Sequence, residues 1–297
     1  MQEMMGKMEI AFPNLGIYLE HVPKTFEIFG ITIALYGMII AVGVMAGLFM
    51  VLHTAKVNGQ NPELWWDVFV WEVLFSVLGA RIYYVIFNFD LYRNNLSKIF
   101  SIREGGLAIY GAVIAALLTL FLFSKKRNVS FFQMADVGVT GLILGQAIGR
   151  WGNFANREVF GGYTDNLFAM RIPIDMVRSQ DITESLAAHI LEGTNYIQVH
   201  PTFLYESLWN LGILAIMLLY QKHKKFHGEV LLIYIGGYGL GRAWIEHIRT
   251  DRLFIPGTTL AVSEVLAIIC IVAAVSIDII VRVQLKKKAV QSIEQTK

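Results

Sequence analysis

Residues 28–52, IFGITIALYGMIIAVGVMAGLFMVL, run for 25 positions without one charged side chain. Coiled into a helix, such a run is long enough to cross a hydrocarbon core of about 30 Å. A second run, 106–123, stays uncharged for 18 positions. Five more apolar segments lie near 68–88, 134–151, 203–220, 230–247 and 260–282, each with at least one ionisable residue inside. Charged residues make up 16% of the chain, against about 25% in soluble domains, and mean hydropathy is +0.53. The pattern predicts an all-α integral membrane protein, a bundle of about seven transmembrane helices.

Charge distribution supplies an orientation. With the N-terminus outside, the loops 54–66, 124–133 and 221–228 and the tail 282–297 face the cytoplasm and hold 12 Lys/Arg in 47 residues. The other side holds 10 in 107. Cytoplasmic loops carry the excess, so the expectation is N-out and C-in. Residues 1–27 lack an apolar core of the signal-peptide kind, so no cleavable leader is expected. Without internal repeat or linker, residues 1–297 are read as one transmembrane domain. Its small extracytoplasmic head is mainly 153–202, with 1–27 and 89–105 packed nearby. Within that head, Asp181 and Glu184 suggest a capped helix near 181–192. Gly43 and Gly47 are spaced for close helix contact in lipid. Cys270 is the only cysteine, which excludes an intramolecular disulfide and any multi-cysteine metal site.

Ionisable groups inside spans cost about 2.5–3.5 kcal/mol each at a helix centre and usually face a protein interior or a watery cavity. Glu72, Arg81 and Glu264 are isolated and read as interhelical pairs or snorkelling ends. Asp278 and Arg282, four apart, read as a helix pair. Asp136 reads as a carboxylate at the start of its own helix. Three groupings differ, and all fall at the outer ends of spans: GRWGNFANRE at 149–158, HPTFLYE at 200–206 and GYGLGRAWIEHIRTD at 237–251. They bring Arg150, Asn153, Asn156, Glu158, His200, Glu206, Tyr238, Arg242 and Glu246 to one depth. Two guanidinium forks with asparagines nearby suit phosphate, and at the outer leaflet the abundant phosphates belong to lipid headgroups. GGYGLG lacks the preceding strand and following Lys-Ser/Thr of a nucleotide loop. No HExxH or paired His/Cys spacing occurs, so neither a metal nor a cofactor is expected.

The first of these stretches resembles the signature of the prolipoprotein diacylglyceryl transferase family: Gly149, Arg150, Gly152, Asn153, Phe154, Asn156, Glu158 and Gly161 match in order. Four further blocks agree along the whole chain: LYGMII with Tyr36, GGLAIYG, HPTFLYE, and YGLGRAWIE with Tyr238, Arg242 and Glu246. The resemblance implies a bacterial inner-membrane enzyme with its site towards the outer leaflet. It would move the diacylglyceryl group of phosphatidylglycerol onto the lipobox cysteine of a prolipoprotein signal peptide, forming a thioether and releasing glycerol phosphate. Its implied partners are membrane lipid and that precursor, with no nucleic acid and a monomer as default. Arg150, Arg242, Tyr36 and Glu246 are the implied catalytic set. Asn153, Asn156, Glu158, Gly161, His200, Glu206, Tyr238 and Tyr110 would bind substrate.

The chain departs from that pattern at Tyr110. Many members carry a histidine there, a proposed general base, whereas tyrosine has a pKa of about 10 and is a poor base at neutral pH. Another base (Glu206, Glu246 or His200) or a thiol acidified by the arginine field would then serve. A headgroup or anion transporter is the competing reading. It requires polar residues through to the far side, where the fourth span offers only Thr140 and Gln146 between Val137 and Gly149.

Overall fold

The structure, a computed structural model, describes residues 9–102, 105–190 and 193–295, the side chain of Ile293 excepted. The chain is mostly helical. It opens with strands β1 (Ile10–Phe12) and β2 (Ile17–Leu19), then the hairpin β3 (Thr25–Ile28) and β4 (Ile31–Ala34). Helices α1 (Leu35–Val57), α2 (Pro62–Phe87), α3 (Ile109–Arg127) and α4 (Phe131–Asn156) follow. After β5 (Met170–Pro173), the short α5 (Glu184–Ala187) and β6 (Tyr196–Val199) come α6 (Thr202–Tyr220), α7 (Glu229–Ile248) and α8 (Val262–Gln295).

Six of these helices, α1, α2, α3, α4, α6 and α8, are long and apolar enough to cross a membrane. The expected seventh span coincides with α7, packed against α6 and α8; it carries Glu229, Arg242 and Glu246 and is not among those six. The first span begins at Leu35, not residue 28. Phe29 and Gly30 take positive φ values of 52° and 76° and turn the chain back into a hairpin before the helix starts.

Helix α4 is the hub. It packs against α1, α6, α7 and α3, and half of its apolar window is buried. Against α1 the approach is backbone to backbone. A Cβ on Gly141 would sit 2.4 Å from the Gly47 carbonyl oxygen, and one on Gly43 3.2 Å from that of Gly145. The glycine spacing noted in the sequence thus marks the α1–α4 crossing, where missing side chains let dispersion act over the whole backbone surface.

An all-α reading fails at one end of the bundle. There β2-β1-β5-β6 form an antiparallel sheet, with Ala11 opposite Arg171 and Ile172 opposite Ile197. Ile10, Phe12, Phe160, Ile172, Leu186, Val199 and Phe203 make its core. Because Phe203 belongs to α6, the sheet sits on the bundle. Side chains from 10–22, 160–186 and 197–203 thus share one core. Between α2 and α3, carbonyls of Lys98, Ile99, Gly105 and Gly106 surround the Arg81 guanidinium, which stacks on Tyr92. Arg81 is satisfied by backbone, not by the pairing expected. The short helix is capped by Thr183, whose hydroxyl accepts from Leu186 N–H, while Asp181 binds Arg178. Residues 191–192 of the longer helix expected there lie outside the described residues.

Asp136 also behaves differently from expectation. It is fully buried in the second turn of α4 and accepts from the N–H groups of Gly228 at 2.9 Å and Leu231 at 3.0 Å. It caps α7, a neighbouring helix, and so fixes where α7 begins.

The α1–α4 crossing yields a direct test. Gly141→Ala adds a methyl where backbone already stands, which typically costs about 1–3 kcal/mol. The purified protein in detergent should unfold at a lower temperature than wild type. Equal stability would contradict the close crossing.

Candidate functional site

The three polar groupings meet through backbone. Helix α4 ends at Asn156, and Arg157 takes a left-handed φ of 58°. Val159 follows at φ 60°, uncommon for a β-branched residue. The chain thus turns sharply and brings Gly161 against two other elements. Gly161 N–H donates to the His200 carbonyl at 3.0 Å, and His200 N–H donates to that of Gly162 at 3.0 Å. Gly162 N–H donates to the Ile248 carbonyl at 2.9 Å. The end of α4, the start of α6 and the end of α7 are therefore stitched together at one point. A side chain at Gly161 would stand 2.8 Å from both His200 Cβ and the Ile248 carbonyl oxygen.

Above this stitch the charges converge. Glu206, at the start of the second turn of α6, is the common acceptor. Its Oε1 receives Arg242 Nη1 at 3.3 Å, and its Oε2 lies 2.5 Å from Arg150 Nη2. The second contact is an ion pair poorly aligned for hydrogen bonding, leaving Oε2 without a donor among the described residues. Arg242 also pairs with Glu246 one turn along α7, at 2.5 Å. Ser263 at the start of α8 donates to the other oxygen of Glu246 at 2.7 Å. The glutamate side chains are 3% exposed, whereas Arg150 and Arg242 keep 20% and 17%. The carboxylates are the more buried partners, so two arginines are tied to one buried glutamate while their own side chains stay partly exposed.

A third arginine joins them. Arg249 lies 3.8 Å from both Glu206 and Glu246 and is gripped through two nitrogens by Asp251, at 2.9 and 2.8 Å. Burial works against its charge, yet Asp251 together with Glu206 and Glu246 outweighs that and raises its pKa; burial likewise works to raise Asp251, and Arg249 with Arg178 and a backbone hydrogen bond outweighs it, holding that carboxyl below the usual range. Neither Arg249 nor Asp251 nor Ser263 stood out in the sequence, although Arg249 follows Glu246 by three and Arg242 by seven, the same helical face.

The remaining residues take graded positions. Asn153 touches Arg150 at 3.4 Å and donates to Glu158 at 3.0 Å; Asn156 donates to the same oxygen at 3.4 Å. Glu158 thus orients the two asparagines. The Tyr36 ring covers the backbone of Gly152, where a Cβ would be 2.7 Å from it. Tyr238 stacks on Tyr234, whose hydroxyl bonds Gln146. His200 is part-buried with Nδ1 3.3 Å from the Tyr205 hydroxyl, and burial pushes its pKa down, favouring the neutral ring. Tyr110 is not brought into the cluster by any contact among the described residues. It lies half-exposed on α3 beside Tyr83, with ring centroids 6.4 Å apart.

Comparison with known proteins bears on this arrangement. A family model described as prolipoprotein diacylglyceryl transferase matches residues 23–280. A phosphatidylglycerol–prolipoprotein diacylglyceryl transferase of Finegoldia magna is 39% identical over 271 residues, 91% of this chain and 98% of its own. A protein of the same name from Listeria monocytogenes is 40% identical over 265 residues, 89% and 91% of the two chains. One from Clostridium botulinum is 38% identical over 253 residues, 85% and 94%.

Three substitutions probe the assembly. Removing one partner of a buried ion pair costs about 3–5 kcal/mol, because the other charge stays buried. Glu206→Gln should therefore lower the unfolding temperature well below that of Glu158→Gln, whose carboxylate meets only neutral amides among its hydrogen-bond partners. Equal effects would show that Glu206 is not the common acceptor. Gly161→Ala should likewise destabilise, by about 1–3 kcal/mol, in the same melting experiment.

Proposed function

Because the chain belongs to the prolipoprotein diacylglyceryl transferase family, we propose that the cluster around Glu206 is where its reaction takes place. The chain is a multi-pass membrane transferase of lipoprotein maturation. It transfers the diacylglyceryl group of phosphatidylglycerol to a prolipoprotein. In our reading the acceptor is the thiol of the lipobox cysteine, the protein acts as a monomer, and residues 1–297 form one catalytic unit. It would sit in the bacterial inner membrane, N-out and C-in, with the sheet and the cluster towards the outer leaflet. The asymmetry of Lys and Arg between the loops supports that orientation.

The observation that carries the site assignment is the pair of arginines sharing one buried carboxylate while each side chain stays partly exposed. A phosphodiester monoanion placed against those two side chains would accept charge-assisted bonds from both forks. In the displacement, cysteine sulfur attacks the diacylglyceryl carbon, the C–S bond forms and the C–O bond to phosphate breaks. Glycerol phosphate leaves with more negative charge than the diester carried, and the thiol proton passes to solvent or to that phosphate. Arg150 and Arg242, already oriented by Glu206 and Glu246, would stabilise this growing charge with little reorganisation. Asn153 and Asn156, oriented by Glu158, would direct headgroup oxygens, and Tyr36 and Tyr238 would line the approach. Thiolate is the attacking form. The guanidinium groups of Arg150 and Arg242, the cations nearest the bound phosphate, would favour it locally, so that the reaction needs no histidine at position 110.

A transporter would need polar groups continuing along α4. Thr140 is bonded to Thr54 and to the Val137 carbonyl, and Gln146 to Tyr234, so both are satisfied within the bundle.

The test is transfer of label from phosphatidylglycerol to a lipobox peptide by purified protein. Arg150→Lys and Arg242→Lys keep charge but lose the fork, and each should lower kcat by about 10²–10³, the range for losing one preorganised donor. Tyr110→Phe should stay within about threefold of wild type, since its hydroxyl is given no proton to carry. Active arginine variants would refute the assignment, and an inactive Tyr110→Phe would refute the proton route.

A further inference from the structure

A groove of about 590 Å³ runs along the outside of the bundle between α2 and α3, walled by Trp71 and Phe75 on one helix and Leu118 and Leu122 on the other. Lys126 and Arg127 close one end. The two helices touch tightly at Gly79, where a Cβ would lie 2.4 Å from Ala115 Cβ. Beyond that contact large side chains form the walls. From Ala115 to Lys126 the groove follows α3 for about 16 Å, the length of most of an acyl chain.

This place is separate from the arginine–glutamate cluster. Helix α4 starts four residues after Arg127 and reaches Arg150 only about 28 Å further along its axis. The groove mouth is therefore at the opposite end of the bundle and meets the opposite leaflet.

Charge decides the occupant. The mouth carries Ser-Lys-Lys-Arg, residues 124–127. Arg127 is paired with Asp67 at 2.6 Å and stacks on Phe123; Lys125 lies over the Phe121 ring. Lys126 is exposed and has no ion pair among the described residues. An apolar channel ending in an open ammonium suits one molecule with a hydrocarbon tail and a phosphate. A signal-peptide helix would bring its own basic residues to this same side and be repelled. A second copy lying in the same orientation would present the same lysines. We propose that this groove binds an anionic phospholipid of that leaflet, its acyl chain against Trp71 and its phosphate on Lys126.

Trp71 makes the occupant visible. The protein is reconstituted in phosphatidylcholine vesicles with a fixed minor fraction of either brominated phosphatidylserine or brominated phosphatidylcholine. The Trp71 signal is the difference between wild type and Trp71→Phe. Quenching by the anionic lipid should exceed that by the neutral one about fivefold, the preference a single surface lysine confers. Lys126→Gln should bring the ratio near one and Lys126→Arg should restore it, with transferase activity unchanged in both as the check on folding. No preference in wild type, or a preference that survives Lys126→Gln, would overturn the proposal. Quenching by neither lipid would also overturn it, by showing that protein covers the groove.

Discussion

The Glu206 carboxylate, 3% exposed, meets Arg150 from α4 and Arg242 from α7, with Arg249 just beyond. Much of the bundle is arranged so that this meeting can occur. Charges at such depth are costly alone, and the ion pairs offset that cost only when every partner arrives in register. The register comes from several directions. Asp136 caps α7 at the far end and sets where that helix begins. Glycines at the α1–α4 crossing let the hub helix lie close to its neighbour. The backbone bonds around Gly161 fix the ends of α4, α6 and α7 against one another.

The sheet extends this logic. Its core includes Phe203 from α6, and Phe154 at the end of α4 packs at a tilt against Phe203 with centroids 4.7 Å apart. Arg157, directly after α4, is buried and donates to Glu9 and to the Val22 carbonyl. The N-terminal segment is thus tied to the residue that turns the chain out of α4. The same stretch, GRWGNFANRE, supplies an arginine to the cluster, two asparagines to its own Glu158 and an arginine to the N-terminal segment, which accounts for so many polar groups at the end of one apolar helix.

Hydropathy made the spans legible because an uncharged run of membrane length has few other uses. The α1–α4 crossing was legible through Gly43 and Gly47, since close approach needs small residues. The sheet was not, because its strands are three or four residues long and pair across distance, as Ala11 does with Arg171; no local alternation reveals that. Arg249 was overlooked because its partners include a residue on another helix and a carboxylate two positions on. Asp136 was assigned to its own helix when it caps the next one, a relation visible only in three dimensions. Tyr110 matched a family block by position, yet its side chain lies beside Tyr83.

The most direct measurement is a structure of the protein with a phosphonate analogue of phosphatidylglycerol, whose carbon–phosphorus bond resists displacement. The account predicts phosphonate oxygens within about 2.7–2.9 Å of guanidinium nitrogens of both Arg150 and Arg242, with Glu206 still behind them. A phosphonate bound elsewhere, or held by neither arginine, would contradict it.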